Sequence, residues 1–188
     1  LVYEAAIASA NAGDLATTQA RLTRIANDMG LTDEVQNALS AETNLSKLFA
    51  TFEVAAANVV KAHLGNVSGL LETNKGVAYQ TLATAYSDFL IVQDSPRADA
   101  SSADLFTQSF TALVADDKET LNTAIGQLNT QMDTFASAAS SVVSGTVTSE
   151  VPTMTETPVA VVQPEAVTPV ETTTETTPQP ETVAQAET

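Results

Sequence analysis

The chain has 188 residues, no cysteine and a net charge of −16 at pH 7. The lack of cysteine excludes disulfides, thiolate nucleophiles and most zinc sites. The acidic charge excludes nucleic acid and anionic lipid as partners, because both require clustered Lys/Arg, and no apolar run reaches the ~18 residues of a membrane span.

Composition divides the chain near Ser144–Gly145. All nine aromatic residues and all seven Lys/Arg lie before Gly145, whereas six of the seven prolines lie after it. The first part carries 16 acidic and seven basic side chains, a net charge of −9, and the second carries seven Glu and no base. We therefore predict a helical bundle domain over residues 1–144 and a disordered acidic Thr/Pro-rich linker or tail over residues 145–188.

The predicted tail contains 13 threonines and recurrent prolines. Proline interrupts helices and sheets, and such a segment cannot bury enough apolar area to offset its ordering entropy. An extended, partly polyproline-II spacer is expected. Threonine beside proline also suits mucin-like O-glycosylation, and the modified and unmodified forms both remain open.

Before that boundary the apolar spacing is helical from the first residues onward. Residues 2–12 predict a first helix ending at Gly13, and Asp14 is placed to cap a second helix that stops at Gly30. Thr32 is placed to cap a short third helix. The chain begins directly in this pattern, with neither an initiator Met nor a signal peptide. We therefore expect a processed chain or a piece cut from a longer one.

A long helix is predicted to begin at Asn44 and to end at Gly65, with Ser68 capping the next. The stretch Gln93–Ser101 (QDSPRADAS) holds the one early proline and predicts a loop.

Ser101 or Ser102 is placed to cap the helix after that loop, and Asp116 is placed to begin the last helix. Apolar residues at heptad spacing run along the last helix: Leu121, Ile125, Leu128, Met132, Phe135, Ala139 and Val142. The predicted fold is all-α, a compact bundle of six or seven helices.

Side chains that could carry chemistry are few. His63 is the only histidine, lies on a helical apolar stripe, and is expected to be a packed or helix-end residue. No serine stands in a G-x-S-x-G elbow, and no Gly-rich phosphate loop occurs. We therefore predict a protein that is not an enzyme, with no catalytic, cofactor-binding or metal site and no small-molecule substrate.

Two weaker patterns remain. Asp94, Asp99 and Asp104 could offer oxygen ligands to calcium, but they do not match the D-x-D-x-D-G loop and also suit turn and cap positions. Asn44 and Asn66 each begin an N-x-S sequon, and helix capping explains both without a sugar.

The amphipathic stripes allow two readings. They could form a bundle core or coat a lipid or polymer granule. Interfacial helices usually carry a basic polar face, and these are acidic, which favours the core.

Several segments together resemble the repeated helical domains of spider silk proteins, most closely the aciniform and pyriform types. They are Arg21–Met29 (RLTRIANDM), the break at Leu64-Gly65, the Tyr-bearing helix to Leu90, and Ser95–Val114 (SPRADASSADLFTQSFTALV) with its Phe106–Phe110 spacing. The resemblance covers roughly residues 21–143. It implies compact bundles alternating with disordered linkers, and no catalytic residues.

Three functions follow from these features. The first is a structural, silk-like repeat unit of a secreted, extracellular fibre or cement that self-associates. The second is a subunit of a microbial surface filament or envelope with a stalk-like tail. The third is a lipid- or granule-coating helical protein.

Overall fold

Seven helices make up the part of the chain that the structure describes, and short turns and one longer loop connect them. The structure, a computed structural model, describes residues 2–145, and these contain no strand. The helices are α1 (Val2–Asn11), α2 (Leu15–Asp28), α3 (Asp33–Ala41), α4 (Leu45–Thr73), α5 (Lys75–Val92), α6 (Ser102–Ala115) and α7 (Lys118–Val143). The predicted all-α bundle is confirmed. The predicted disordered tail lies outside the described residues from position 146 onward.

The early helix boundaries follow the predicted capping chemistry. Gly13 and Gly30 have φ of +74° and +70°, a left-handed conformation that glycine adopts without steric cost. Asp14 Oδ1 accepts a 3.0 Å hydrogen bond from Thr17 N, and the Thr32 hydroxyl accepts from Val35 N at 3.5 Å. These side chains satisfy backbone N–H groups that a helix start leaves unpaired.

The predicted break at Gly65 is wrong. Helix α4 continues through that position to Thr73 and is 29 residues long. Leu64 and Val67 are fully buried on either side of Gly65. Their burial outweighs the cost of about 1 kcal/mol that a glycine adds within a helix.

Ser68 is therefore not a cap. It lies within α4, and its hydroxyl donates a 2.6 Å hydrogen bond to Asn122 Oδ1 on α7. The residue that caps α5 is Asn74, whose Oδ1 accepts from Val77 N at 3.1 Å.

The boundaries of α6 and α7 differ slightly from the prediction, either in which residue caps the helix or in whether the capping hydrogen bond forms. Ser101 occupies the N-cap position of α6 but makes no capping hydrogen bond. Asp116 ends α6 in the left-handed conformation (φ +58°) instead of beginning α7. Asp117 caps α7, accepting from Thr120 N at 3.0 Å. The predicted loop 93–101 is confirmed, since α5 ends at Val92 and α6 begins at Ser102.

Helix α4 is the central element and joins two hydrophobic clusters. It packs against α5 and α7, while α6 packs against α7 and α1 packs against α2. The first cluster surrounds Phe49 and Phe52 near the start of α4, and the second surrounds Leu64 near its end. All seven predicted apolar positions of α7 are buried.

Candidate functional site

The most unusual interior feature is a charged cluster around Glu53, whose side chain is 0% exposed. Its Oε1 accepts hydrogen bonds from the Tyr3 hydroxyl at 2.9 Å and from the Ser95 hydroxyl at 2.7 Å. Its Oε2 accepts from Arg97 Nη1 at 2.6 Å. We call these four residues the Glu53 cluster.

Burial dominates the electrostatics of the cluster. Desolvation raises the pKa of Glu53, although Arg97 and the hydrogen bonds from Ser95 and Tyr3 act in the opposite direction. Desolvation likewise raises the pKa of Tyr3 well above its usual value, and the nearby Glu53 carboxylate raises it further. Tyr3 therefore remains a neutral hydrogen-bond donor.

The Glu53 cluster connects three separate parts of the chain: α1, α4 and the loop between α5 and α6. A carboxylate that solvent cannot reach cannot exchange protons with a substrate, so the arrangement suits positioning of the loop rather than acid–base chemistry. The sequence patterns did not predict this site. The available signal was an acidic residue on the apolar stripe of α4, four residues after Phe49, together with one arginine in the loop.

His63 pairs with an acidic residue on the neighbouring helix. Its Nε2 lies 3.5 Å from Asp88 Oδ2, with the two side chains 34% and 12% exposed. Burial raises the pKa of Asp88, and His63 partly offsets this effect. The pair links α4 to α5.

The three aspartates considered for calcium do not converge. Asp99 accepts hydrogen bonds from Ser101 N at 2.8 Å and from the Ser101 hydroxyl at 2.7 Å, which lowers its pKa. Asp94 lines a groove between α1, α2 and α5, and Asp104 lines another between α6 and α7. Within residues 2–145 no group of three or more His, Asp or Glu side chains could hold a metal ion.

The two sequon asparagines have different settings. Asn44 caps α4, with Oδ1 accepting from Lys47 N at 3.0 Å, as predicted. Asn66 is exposed within α4 and caps nothing, so the capping explanation is wrong for that residue.

A surface groove of about 550 Å³ runs between α6 and α7. Its walls are mainly hydroxyl and amide side chains, with one carboxylate and no base: Ser101, Asp104, Leu105, Gln108, Asn122, Thr123, Gly126, Gln127, Thr130 and Gln131. The groove has no convergent nucleophile and base.

An apolar surface lies where α5 and α6 meet, and we call Tyr79, Tyr86, Phe110 and Val114 the aromatic face. The ring centroids of Tyr79 and Phe110 are 5.3 Å apart, and those of Tyr86 and Phe110 are 6.1 Å apart. Tyr79 is 46% exposed and Val114 is 64% exposed.

Comparison with protein-family models, with curated proteins and with solved structures gives no significant match for this chain. Among the helices of residues 2–145, none has both the length and the apolar content needed to cross a bilayer.

Proposed function

We propose that this protein is a non-enzymatic structural protein, a helical unit of a secreted fibre or cement that self-associates. In this proposal residues 2–145 form the associating unit, and the Thr/Pro/Glu-rich residues that follow serve as a spacer between units. The resemblance to the helical domains of spider silk proteins agrees with this role.

The observation that carries the proposal is the aromatic face. Exposed apolar patches on a soluble domain are typical of association surfaces. Tyrosine and phenylalanine are enriched in such surfaces because they bury large areas at low entropic cost. A second copy that presents the same patch would give a two-fold symmetric interface, the commonest arrangement in homo-oligomers.

Charge supplies a means of control. The bundle has a net charge of −9, so copies repel one another at low ionic strength. Near the aromatic face, Lys75 Nζ lies 2.9 Å from Asp116 Oδ1, and both side chains are largely exposed. Salt or acid would weaken the net repulsion and allow the apolar patches to meet.

The interior supports a structural role. Every buried side-chain nitrogen and oxygen in residues 2–145 has a hydrogen-bond partner. Buried polar atoms without a partner, which often mark sites of chemistry, are therefore not found among these side chains.

The test is sedimentation velocity on the full chain over a concentration series, with Tyr79→Ser/Val114→Ser as the variant. The control is Val2→Ser/Leu90→Ser, which also removes two exposed apolar side chains, both of which line the groove between α1, α2 and α5. We expect the first pair to weaken association by about tenfold or more, equivalent to about 1.4 kcal/mol, and the control pair to leave it unchanged. A wild-type chain that stays monomeric, or equal effects of the two pairs, would contradict the proposal.

The fibre context has its own test. The complete coding sequence that contains this chain should hold tandem copies of the helical unit separated by Thr/Pro/Glu-rich spacers. A single copy would rule out a repeat unit while leaving self-association intact.

A further inference from the structure

An uncharged groove lies beside the point where the chain leaves the last helix. It has a volume of about 340 Å³ and is formed by α3, α4 and the end of α7. Its lining contains aliphatic, hydroxyl and amide side chains only: Val35, Thr51, Val54, Ala55, Asn58, Ser140, Val143 and Ser144. In so acidic a protein, an apolar groove without a single carboxylate suits an apolar occupant.

Helix α7 is followed by a glycine in the left-handed conformation. Gly145 has φ +72°, and its N–H donates to Val142 O at 3.1 Å. Ser144 N donates to Ser140 O at 2.9 Å. A left-handed glycine directly after a helix is the usual reversal, and an apolar residue just beyond it commonly packs on the last turn.

Two earlier helix ends in the same protein show both parts of this arrangement, the left-handed glycine and the packed apolar residue that follows it. After Gly30 the chain returns at once, Leu31 N donates to Ala26 O at 2.8 Å, and Leu31 is buried in the core. After Gly13, Leu15 packs against the same core cluster two residues later. Val147 stands two residues after Gly145, the same spacing as Leu15 after Gly13.

We propose that residues 146–154 (TVTSEVPTM) of the same chain dock in the groove formed by α3, α4 and α7. In an extended conformation, Val147 and Val151 share one face and Glu150 points to the other. The two valines then enter the uncharged groove, and the one carboxylate of the segment faces water. The spacer proposed above thus begins about ten residues later than the change in composition indicates.

The groove wall contains exposed apolar surface that a docked segment would cover. Val143 is 38% exposed, although the preceding residue Val142 is buried with Ala50 and Ala139. Val54 packs against that small cluster from α4. Contact with Val147 and Val151 would cover Val143 and extend this cluster outward.

The inference is tested on the full chain by replacing the two valines. Val147→Ser/Val151→Ser should shift the valine methyl resonances of Val35, Val54 and Val143 and should lower Tm by about 5 °C. The matched control, Val159→Ser/Val162→Ser, makes the same chemical change farther along and should alter neither quantity.

Three outcomes overturn the proposal. Groove methyl resonances that do not respond to Val147→Ser/Val151→Ser would show the groove to be empty or filled by another segment. Equal effects of the two pairs would show that the tail acts without a specific site. Methyl positions that change on dilution would show that the occupant comes from a second copy, as in a swapped assembly.

Discussion

The hydroxyl of Tyr3 and the carboxylate of Glu53 meet at 2.9 Å although 50 residues separate them in the chain. The same carboxylate accepts from Ser95 and Arg97, so one buried acid joins the first helix, the central helix and the loop after α5. The fold is therefore closed by polar contacts as well as by its hydrophobic clusters.

The ion pair of the Glu53 cluster predicts a clear mutational pattern. Arg97→Gln should lower the free energy of unfolding by about 3 kcal/mol, because it leaves a buried carboxylate without its cation. Glu53→Gln/Arg97→Gln should restore at least half of that loss, since no buried charge remains. Urea unfolding of both variants and the wild type measures the difference. A double variant less stable than Arg97→Gln would contradict this account.

Titration of Glu53 should contribute to the pH dependence of the free energy of unfolding. Because its pKa is raised on folding, its favourable contribution is fully present below the unfolded pKa of about 4.3 and is lost as pH rises through the raised value. Acidification from pH 7 should therefore stabilise the wild type relative to Glu53→Gln. Parallel stability–pH curves for the two proteins would show that Glu53 does not titrate differently in the folded state.

The capping aspartates Asp14 and Asp117 affect the pH dependence of stability in the opposite direction to Glu53. Hydrogen bonds from Thr17 and from Thr120 lower the pKa of Asp14 and Asp117, respectively. Their contribution is present above the unfolded pKa and is lost as pH falls through the lowered value. In Asp14→Asn/Asp117→Asn, stability should fall less steeply on acidification than in the wild type. An unchanged slope would mean that these caps contribute nothing to the acid response.

Asn66 within α4 and Asn74 at its end provide a matched pair of substitutions that test where the helix ends. Asn74→Ala should destabilise the protein by about 1 kcal/mol, because Val77 N loses its capping acceptor. Asn66→Ala should be neutral or slightly stabilising, since Asn66 is exposed within the helix and alanine is the better helix former. Equal losses from the two substitutions, measured by urea unfolding, would contradict the observed boundary.

Glycine substitutions test the continuity of α4. A Cβ added at Gly65 meets no atom within 4 Å, so Gly65→Ala should stabilise the protein by about 1 kcal/mol. Gly30→Ala should destabilise it, because Gly30 has φ +70° and alanine is strained there. If α4 instead ended at Gly65, both substitutions would be destabilising in the same urea-unfolding assay.

Sequence predicted what depends on local chemistry. The caps at Asp14, Thr32 and Asn44 and the turns at Gly13 and Gly30 follow from side-chain hydrogen bonding and from the conformational freedom of glycine, which act within a few residues. The buried stripe of α7 follows from apolar spacing alone. These features can therefore be predicted from the sequence alone.

What sequence could not supply depends on tertiary packing. Gly65 has the local character of a helix end, and only the burial of Leu64 and Val67 shows that the helix continues. Val114 lies in an apolar run, yet the position of α6 on α7 leaves it outside. Glu53 is an acidic residue, and its burial can be recognised only from the structure, in which Arg97 of the loop after α5 pairs with it.

If acidic repulsion holds copies of the bundle apart, their association should depend on salt concentration. Raising ionic strength from about 0.01 M to about 0.15 M shortens the screening length from about 30 Å to about 8 Å and so weakens repulsion between acidic bundles. Sedimentation velocity of the full chain at pH 7 should then show reversible oligomers that increase with salt. A monomer at both salt concentrations, at every protein concentration tested, would contradict the account.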